Sequence, residues 1–255
     1  MDDVIQGNNR VIVPELIVVG AGPGDPELLT IKAYKALQQA DVVLYDNLAN
    51  KELLAFTRED CEKQYVGKQP YGNYTPQETI HALIKEMAFT KGKVVRLKGG
   101  DPYIFGRGFE EILFAREQGI KTSYIPGITT MQTAGLEDIP LTHRHVSEGF
   151  WVMTGTKEDG SLTNDLALAI RSKATVIIYM GMKKLATIAA IYMAEGSGHM
   201  PAVIIQHATL PQKKIAKGFI RDLPFLAEQH HISHPAIIII GHVADINGMM
   251  TSRDL

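Results

Sequence analysis

The stretch Val94-Val95-Arg96-Leu97-Lys98-Gly99-Gly100-Asp101-Pro102-Tyr103-Ile104-Phe105-Gly106-Arg107-Gly108 constrains the chain most, because an apolar run halts in it against two glycines, an acid and a proline. Val94, Val95 and Leu97 suit a buried strand. Gly99-Gly100 lets the backbone turn sharply and approach a ligand without a Cβ in the way, and Asp101-Pro102 fixes the turn. Binding loops in α/β proteins lie beyond the carboxyl ends of strands, so this loop is read as a cofactor site. The competing reading is an ordinary turn with structural glycines. Arg96, Lys98 and Arg107 around those glycines favour the functional one.

The same punctuation recurs along the chain. Leu16 to Val19 reads as a short buried strand ending in Gly20-Ala21-Gly22-Pro23-Gly24-Asp25-Pro26. Leu29, Ala33, Ala36, Leu37 and Ala40 then recur at helical spacing, with Asp25 as the expected cap and Pro26 in the first turn. Val42 to Tyr45 follows and stops at Asp46, which completes a βαβ unit and predicts a parallel, right-handed crossover. Thr75-Pro76-Gln77-Glu78 reads as a capping box opening a helix whose apolar face is Ile80, Leu83, Ile84, Met87 and Ala88. Gly108 to Gln118 reads as helix, and Thr122 to Ile125 as a strand stopping at Pro126-Gly127-Ile128-Thr129-Thr130. After a connection at Leu136 to Arg144, strand-like runs at Phe150 to Met153, Val176 to Tyr179, Ala202 to Ile205 and Ile237 to Ile240 enclose helical segments near Leu162 to Arg171 and Leu185 to Ala194. This alternation predicts two α/β domains, 15–145 and 146–255, behind a flexible leader over 1–14, rather than one long sheet.

Composition bounds the function. With 255 residues, 21% of them charged, and a net charge of −2, no global basic field argues for nucleic acid, and an anionic substrate must be met by a local cluster. Cys61 is the single cysteine, so no internal disulfide forms, which fits a reducing, cytoplasmic setting. No run reaches the roughly 18 apolar residues of a membrane span, and His143 has no second ligand at metal-binding spacing.

The first glycine loop invites a dinucleotide reading, with Asp46 near where a ribose-binding acid belongs. The match fails because Asp25 stands at the third glycine of G-x-G-x-x-G, and Pro23 and Pro26 remove N–H donors a pyrophosphate needs.

Taken together, Val19 to Thr30, Ala40 to Asp46, Val94 to Glu111, Ile125 to Thr129, Ile139-Pro-Leu-Thr-His-Arg144 and Tyr179-Met-Gly181 resemble the tetrapyrrole methylase family, most of all its uroporphyrinogen-III C-methylating members. The resemblance runs from about Glu15 to Val243. It implies two α/β domains with the active site in the cleft between them, a homodimer, a tetrapyrrole substrate and S-adenosyl-L-methionine as methyl donor, released as S-adenosyl-L-homocysteine. Residue by residue, it implies cofactor contacts at Pro23, Gly99, Gly100, Asp101, Ile104, Thr129, Thr130, Met180 and Ala208. Asp46 matches the proton acceptor and Lys68 the proton donor. The chemistry agrees with those types: a carboxylate stabilises positive charge developing on the ring system and accepts the departing proton, while Lys68 either pairs with a substrate carboxylate or hands a proton back. The substrate is ringed by carboxylates, so Lys98, Arg107, His143 and Arg144 are its candidate partners. Arg96 is expected to face inward and pair structurally instead.

Asn47, Gln69, Asn73 and Thr156 depart from the family's usual residues, several of them cationic or titratable. The resemblance therefore implies two methyl transfers to uroporphyrinogen III giving precorrin-2, with a methylase of a later precorrin or a non-catalytic tetrapyrrole binder as alternatives.

Overall fold

A computed structural model describes residues 11–67 and 75–246. The leader over residues 1–10 and the positions Lys68, Gln69 and Asn73 lie outside the described residues. The chain divides into two compact units, one running to Gly22 and resuming over Pro26–Ile128, the other comprising Pro23–Asp25 and the chain from Thr129 onward.

The first unit is a parallel sheet of β1 (Glu15–Gly20), β2 (Val42–Tyr45), β3 (Glu62–Tyr65), β4 (Lys93–Lys98) and β5 (Lys121–Ile125), ordered β3-β2-β4-β1-β5. Its helices are α1 (Ile31–Gln38), α2 (Gln77–Thr90) and α3 (Gly108–Glu117). Side chains alternate across each strand. Ile17 and Val19 pack with Ala33, Ala36 and Leu37 of α1, whereas Leu16 and Val18 pack with Ile80 and Ile84 of α2 and Ile112 of α3. The topology requires this split. The connection leaving β1 passes over β4 to reach β2, and the one leaving β4 passes over β1 to reach β5. Right-handed crossovers in opposite directions lie on opposite faces. The carboxyl ends of adjacent β1 and β4 are therefore where the connections diverge, the place at which open α/β sheets hold ligands.

The second unit holds β6 (Phe150–Thr154), β7 (Thr175–Tyr179), β8 (Pro201–Gln206), β9 (Lys214–Phe219) and β10 (Ala236–Ile240), ordered β6-β7-β10-β8-β9. Only β6 and β7 pair in parallel. One face carries Val176, Ile178, Ile204 and Ile238 against α4 (Leu166–Arg171), α5 (Leu185–Ala194) and α6 (Leu223–Gln229). The other carries Ile177, Val203, Ile205, Ile237 and Ile239 against Ala134 and Ile139. That packing is why residues 129–145, which the sequence pattern groups with the first domain, join the second unit.

Two helix starts differ from the sequence expectation. Thr30, not Asp25, caps α1, its hydroxyl accepting from Ala33 N at 3.2 Å, because a 3₁₀ turn at Pro26–Leu28 intervenes. Asp25 instead donates its N–H to Thr209 Oγ1 at 2.9 Å. The box at Thr75 does not form: Pro76 stands at the cap of α2 with no side-chain bond, and Thr75 Oγ1 donates to Gly67 O at 2.9 Å. No helix among the described residues is long and apolar enough to cross a membrane.

Candidate active site

Three glycine loops meet at the carboxyl ends of β1, β4 and β5. A Cβ on Gly20 would overlap Gly127 and stand 2.8 Å from Gly100 O. Gly22 and Gly100 exchange backbone hydrogen bonds of 3.2 and 2.7 Å, with Gly100 at φ +64, a conformation other residues adopt only under strain. A Cβ on Gly99 would lie 2.5 Å from both Cβ and O of Leu48. The bare backbone at Gly99 thus admits the loop after β2, the loop that carries Asp46.

Asp101 is buried at the hub of these loops. Its Oδ1 accepts from Tyr103 N at 2.8 Å, and its Oδ2 from Tyr124 Oη at 2.5 Å and Gly127 N at 3.1 Å. Both oxygens brace protein groups, so Asp101 fixes the placement of its loop. The hydroxyl of half-buried Tyr124, donating to that carboxylate, has its pKa pushed well up, burial first and the Asp101 bond second. Tyr103 stacks on Tyr124 with ring centroids 3.8 Å apart. Ile104 and Phe105 follow as exposed apolar side chains.

Asp46 follows β2 directly, with both oxygens held: Oδ1 accepts from Leu48 N at 3.0 Å and Oδ2 from Arg96 Nη2 at 2.9 Å. Its side chain keeps 23% exposure, enough to meet a substrate. Arg96, on the α2/α3 face of β4, is buried. Its Nη1 donates to Leu97 O at 2.9 Å and its Nε to Glu111 Oε1 at 3.2 Å. Burial disfavours the guanidinium charge, but Glu111 and Asp46 outweigh it and hold the pKa above its ordinary value. Lys98, two residues on and on the same face, gives Nζ to Glu111 Oε1 at 3.1 Å. Burial, then the Arg96 charge, pull its pKa below the ordinary lysine value. Lys98 therefore faces the interior and pairs with a buried carboxylate, rather than standing ready for a substrate as the sequence suggested. Arg107, at φ +58 ahead of α3, closes on Glu110 with bonds of 2.9, 3.1 and 2.7 Å. Its flanking glycines fit because a Cβ at Gly106 or Gly108 would run into Pro102.

In the second unit, β6, β7 and β8 run in the same sense, so their carboxyl ends share one end of the sheet. Met180 follows β7 there, exposed and at φ +54, and Thr156 Oγ1 donates to its carbonyl at 2.9 Å. Ala208 follows β8 and is buried. Pro23 reaches the same end, since Asp25 bonds to Thr209 and a Cβ on Gly24 would stand 2.9 Å from Leu210. Thr129 Oγ1 lies 2.7 Å from Tyr179 Oη, which also accepts from Met131 N at 2.8 Å and sets half-buried Thr130 beside the end of β7. Burial raises the Tyr179 pKa. His143 and exposed Arg144 lie in a tight turn closed by bonds between His143 and Ser147. The His143 Nδ1 is buried without a hydrogen-bond partner. A cavity of about 290 Å³ lined by His145, Lys173, Tyr192, Ile240 and Gly241 opens at the opposite end of this sheet from Met180, beside the turn that carries His143 and Arg144.

The residues fit an adenosyl sulfonium cofactor. In the first unit exposed Ile104 offers an apolar side chain next to the glycine turns, and in the second exposed Met180 offers another at the end of its strand, each the kind of surface an adenosyl group takes. Glu111, Tyr124 and Tyr179 carry no site role in the sequence pattern, although two of them lie in its motifs. Among the described residues no group of His, Cys, Asp and Glu is placed to hold a metal ion.

Two α/β units with polar groups gathered at strand ends are the build of an enzyme for small molecules. The profile of the Tetrapyrrole (Corrin/Porphyrin) Methylases matches residues 15–224, and the chain belongs to that family. It is similar to a uroporphyrin-III C-methyl transferase from Thermus thermophilus, solved with S-adenosyl homocysteine: 37% identical, TM-score 0.78, covering 91% of this chain and 99% of that one. A cobalt precorrin-4 methyltransferase superposes with TM-score 0.80 at 26% identity, covering 90% and 95%. Siroheme synthase from Methylobacillus flagellatus is 40% identical over 95% of this chain and 52% of its own length, and that from Chromobacterium violaceum 42% identical over 90% and 49%. The chain spans about half the length of these curated relatives.

Proposed function

We propose that the chain is an S-adenosyl-L-methionine-dependent C-methyltransferase that methylates uroporphyrinogen III at two ring carbons to give precorrin-2, for sirohaem or cobalamin synthesis. The observation that carries this is Asp46, held by Leu48 N and Arg96 beside the glycine loop, in a chain so similar to a uroporphyrin-III C-methyl transferase. The cofactor supplies an electrophilic methyl group on sulfur. Ile104, Met180, Ala208, Pro23, Thr129, Thr130 and the Gly99-Gly100-Asp101 backbone bind and orient it. Much of the acceleration comes from alignment, since nothing but the approach of a ring carbon to the methyl group is needed to start the transfer. Asp46 stabilises the positive charge that builds on the ring system and accepts the proton it must shed. Lys68 returns a proton or pairs with a carboxylate. Arg107, His143 and Arg144 meet the substrate's carboxylates; Lys98 is committed to Glu111. The enzyme works as a homodimer in the cytoplasm.

Incubating the protein with S-adenosyl-L-methionine and uroporphyrinogen III is expected to yield a product heavier by two methyl groups. Asp46→Asn should lower kcat about 100-fold and leave S-adenosyl-L-homocysteine affinity unchanged. A mass gain only with a later precorrin, or cofactor binding with no turnover on any tetrapyrrole, overturns the assignment.

A further inference from the structure

We infer that Glu111 is a positioning residue for methyl transfer, acting on Asp46 through Arg96; this rests on the role proposed for Asp46. Among the described residues, Glu111 is the most deeply buried carboxylate of the first unit, fully out of solvent. One of its oxygens, Oε1, collects Arg96 Nε at 3.2 Å, Lys98 Nζ at 3.1 Å and Gln77 Nε2 at 3.3 Å, while Oε2 is buried with no partner. A side chain placed only to stabilise the fold would divide its donors between both oxygens, because an unpaired buried carboxylate oxygen is costly. Here the donors are drawn to the one oxygen that faces Arg96.

The Arg96 guanidinium transmits that constraint. It is rigid and planar, and each of its nitrogens is engaged: Nε with Glu111, Nη1 with Leu97 O and, at 3.4 Å, Leu44 O, and Nη2 with Asp46. A plane pinned at one edge presents its opposite edge in a fixed direction, so the position of Glu111 sets where Nη2 meets Asp46 Oδ2. The Leu44 bond adds a hold on the backbone two residues before Asp46. Charge makes the arrangement self-contained. Asp46 and Glu111 oppose Arg96 and Lys98, so the set is neutral, and Lys98 meets the share of Glu111 that Arg96, divided between two carboxylates, leaves over. Lys98 thereby keeps Arg96 available to Asp46.

A double-mutant cycle on the whole chain separates positioning from fold support. Glu111→Gln keeps shape and an acceptor but removes the charge that orients Arg96. In the otherwise native chain it should lower kcat for uroporphyrinogen III about 10-fold, with KM for S-adenosyl-L-methionine within about twofold. In an Asp46→Asn background the same change should lower kcat less than about twofold, because the group it positions is already gone. Equal losses in both backgrounds, or wild-type kcat for Glu111→Gln alone, overturn the inference. Wild-type kcat for Asp46→Asn alone overturns instead the role of Asp46. If Glu111→Gln does not fold, Glu111→Asp, which retains the buried charge but withdraws it by one methylene, enters the same cycle, where unequal losses support the inference and equal losses overturn it.

Discussion

The first sheet presents its carboxyl ends through buried charge; the second presents its own through hydroxyls and backbone. Around β4 and β2, Arg96, Lys98, Glu111 and Asp46 form an ion set that is buried except at Asp46, and Asp101 anchors the neighbouring loops through both of its oxygens. Around β7, Tyr179 joins Thr129 and Met131, Thr156 holds the Met180 carbonyl, and a Cβ on Gly155 would stand 2.5 Å from Gly181 Cα. The difference follows from what each end is proposed to meet. A reacting carboxylate must be aimed, and a fixed charged partner aims it at the cost of desolvation. An uncharged adenosyl moiety needs shape and backbone polar groups, which residues at positive φ such as Met180 and His207 expose.

The sharpest way to break this contrast is Arg96→Met. The variant leaves Glu111 and Asp46 without the cation they share, and breaking a buried ion set in this way costs about 3–5 kcal/mol. The urea midpoint should fall accordingly. A loss below about 1 kcal/mol would mean that the charges at this end are not supporting it, and the two ends would then differ in sequence but not in physics.

Legibility in the sequence also differs between the ends. The strand-glycine junctions at Gly20, Gly99 and Gly127 were readable because an apolar run stopped by glycine is a local signal. Their reason was only half readable: Gly99 makes room for Leu48, and Gly20 for Gly127, contacts between segments far apart in the chain. Arg96 and Lys98 two apart on one strand announced a shared face, yet their partner Glu111 lies on α3, and only the register of helix on sheet selects it over Glu110. Gly108, Glu111, Ile112 and Ala115 do share one buried helical face, so an inward Glu was there to be noticed. The edge strands β3 and β9, with Glu62, Lys63 and Lys214, Lys217, lack the apolar runs that betrayed the central strands, and their pairing is set by neighbours. Tyr179 ends an apolar run in the sequence; that its hydroxyl reaches back to Thr129 is a tertiary fact.

A paired comparison of two tyrosines sharpens the contrast at a smaller scale. Tyr124→Phe removes a hydrogen bond to a carboxylate, and should cost about 2 kcal/mol; Tyr179→Phe removes neutral partners, Thr129 Oγ1 and Met131 N, and should cost about 1 kcal/mol. Both hydroxyls titrate above the ordinary tyrosine value, chiefly through burial. The folded state thus keeps protons that the unfolded chain releases near pH 10, so this share of stability is fully present below about pH 10 and is lost as pH rises towards the folded values. Urea denaturation between about pH 9 and 11 should show a flatter alkaline decline in each Phe variant, more so for Tyr124→Phe. Equal costs and equal slopes would erase the distinction between a charged and a neutral hub.

The smallest expected effect lies at Arg107, a cation of the first end that stands at the surface. Its partner Glu110 has a pKa held below the ordinary carboxylate value, mainly by the hydrogen bond from Arg107. A depressed carboxylate stabilises the fold above the unfolded pKa, and that contribution is lost as pH falls through the folded one. Both side chains are about half exposed, so solvent screens the pair, and it adds only about 0.3 kcal/mol. Glu110→Gln should therefore lower stability by about that amount at pH 7 in low salt, and by nothing measurable at pH 3 or in about 1 M salt. Turnover should respond in the opposite direction. If Arg107 meets a substrate carboxylate, it must first leave Glu110, and removing that competitor should lower KM for uroporphyrinogen III by about twofold while kcat and the KM for S-adenosyl-L-methionine stay put. A raised KM would show that Glu110 holds Arg107 in its working position; an unchanged one would make the surface pair, unlike the buried set behind it, a matter of local structure alone.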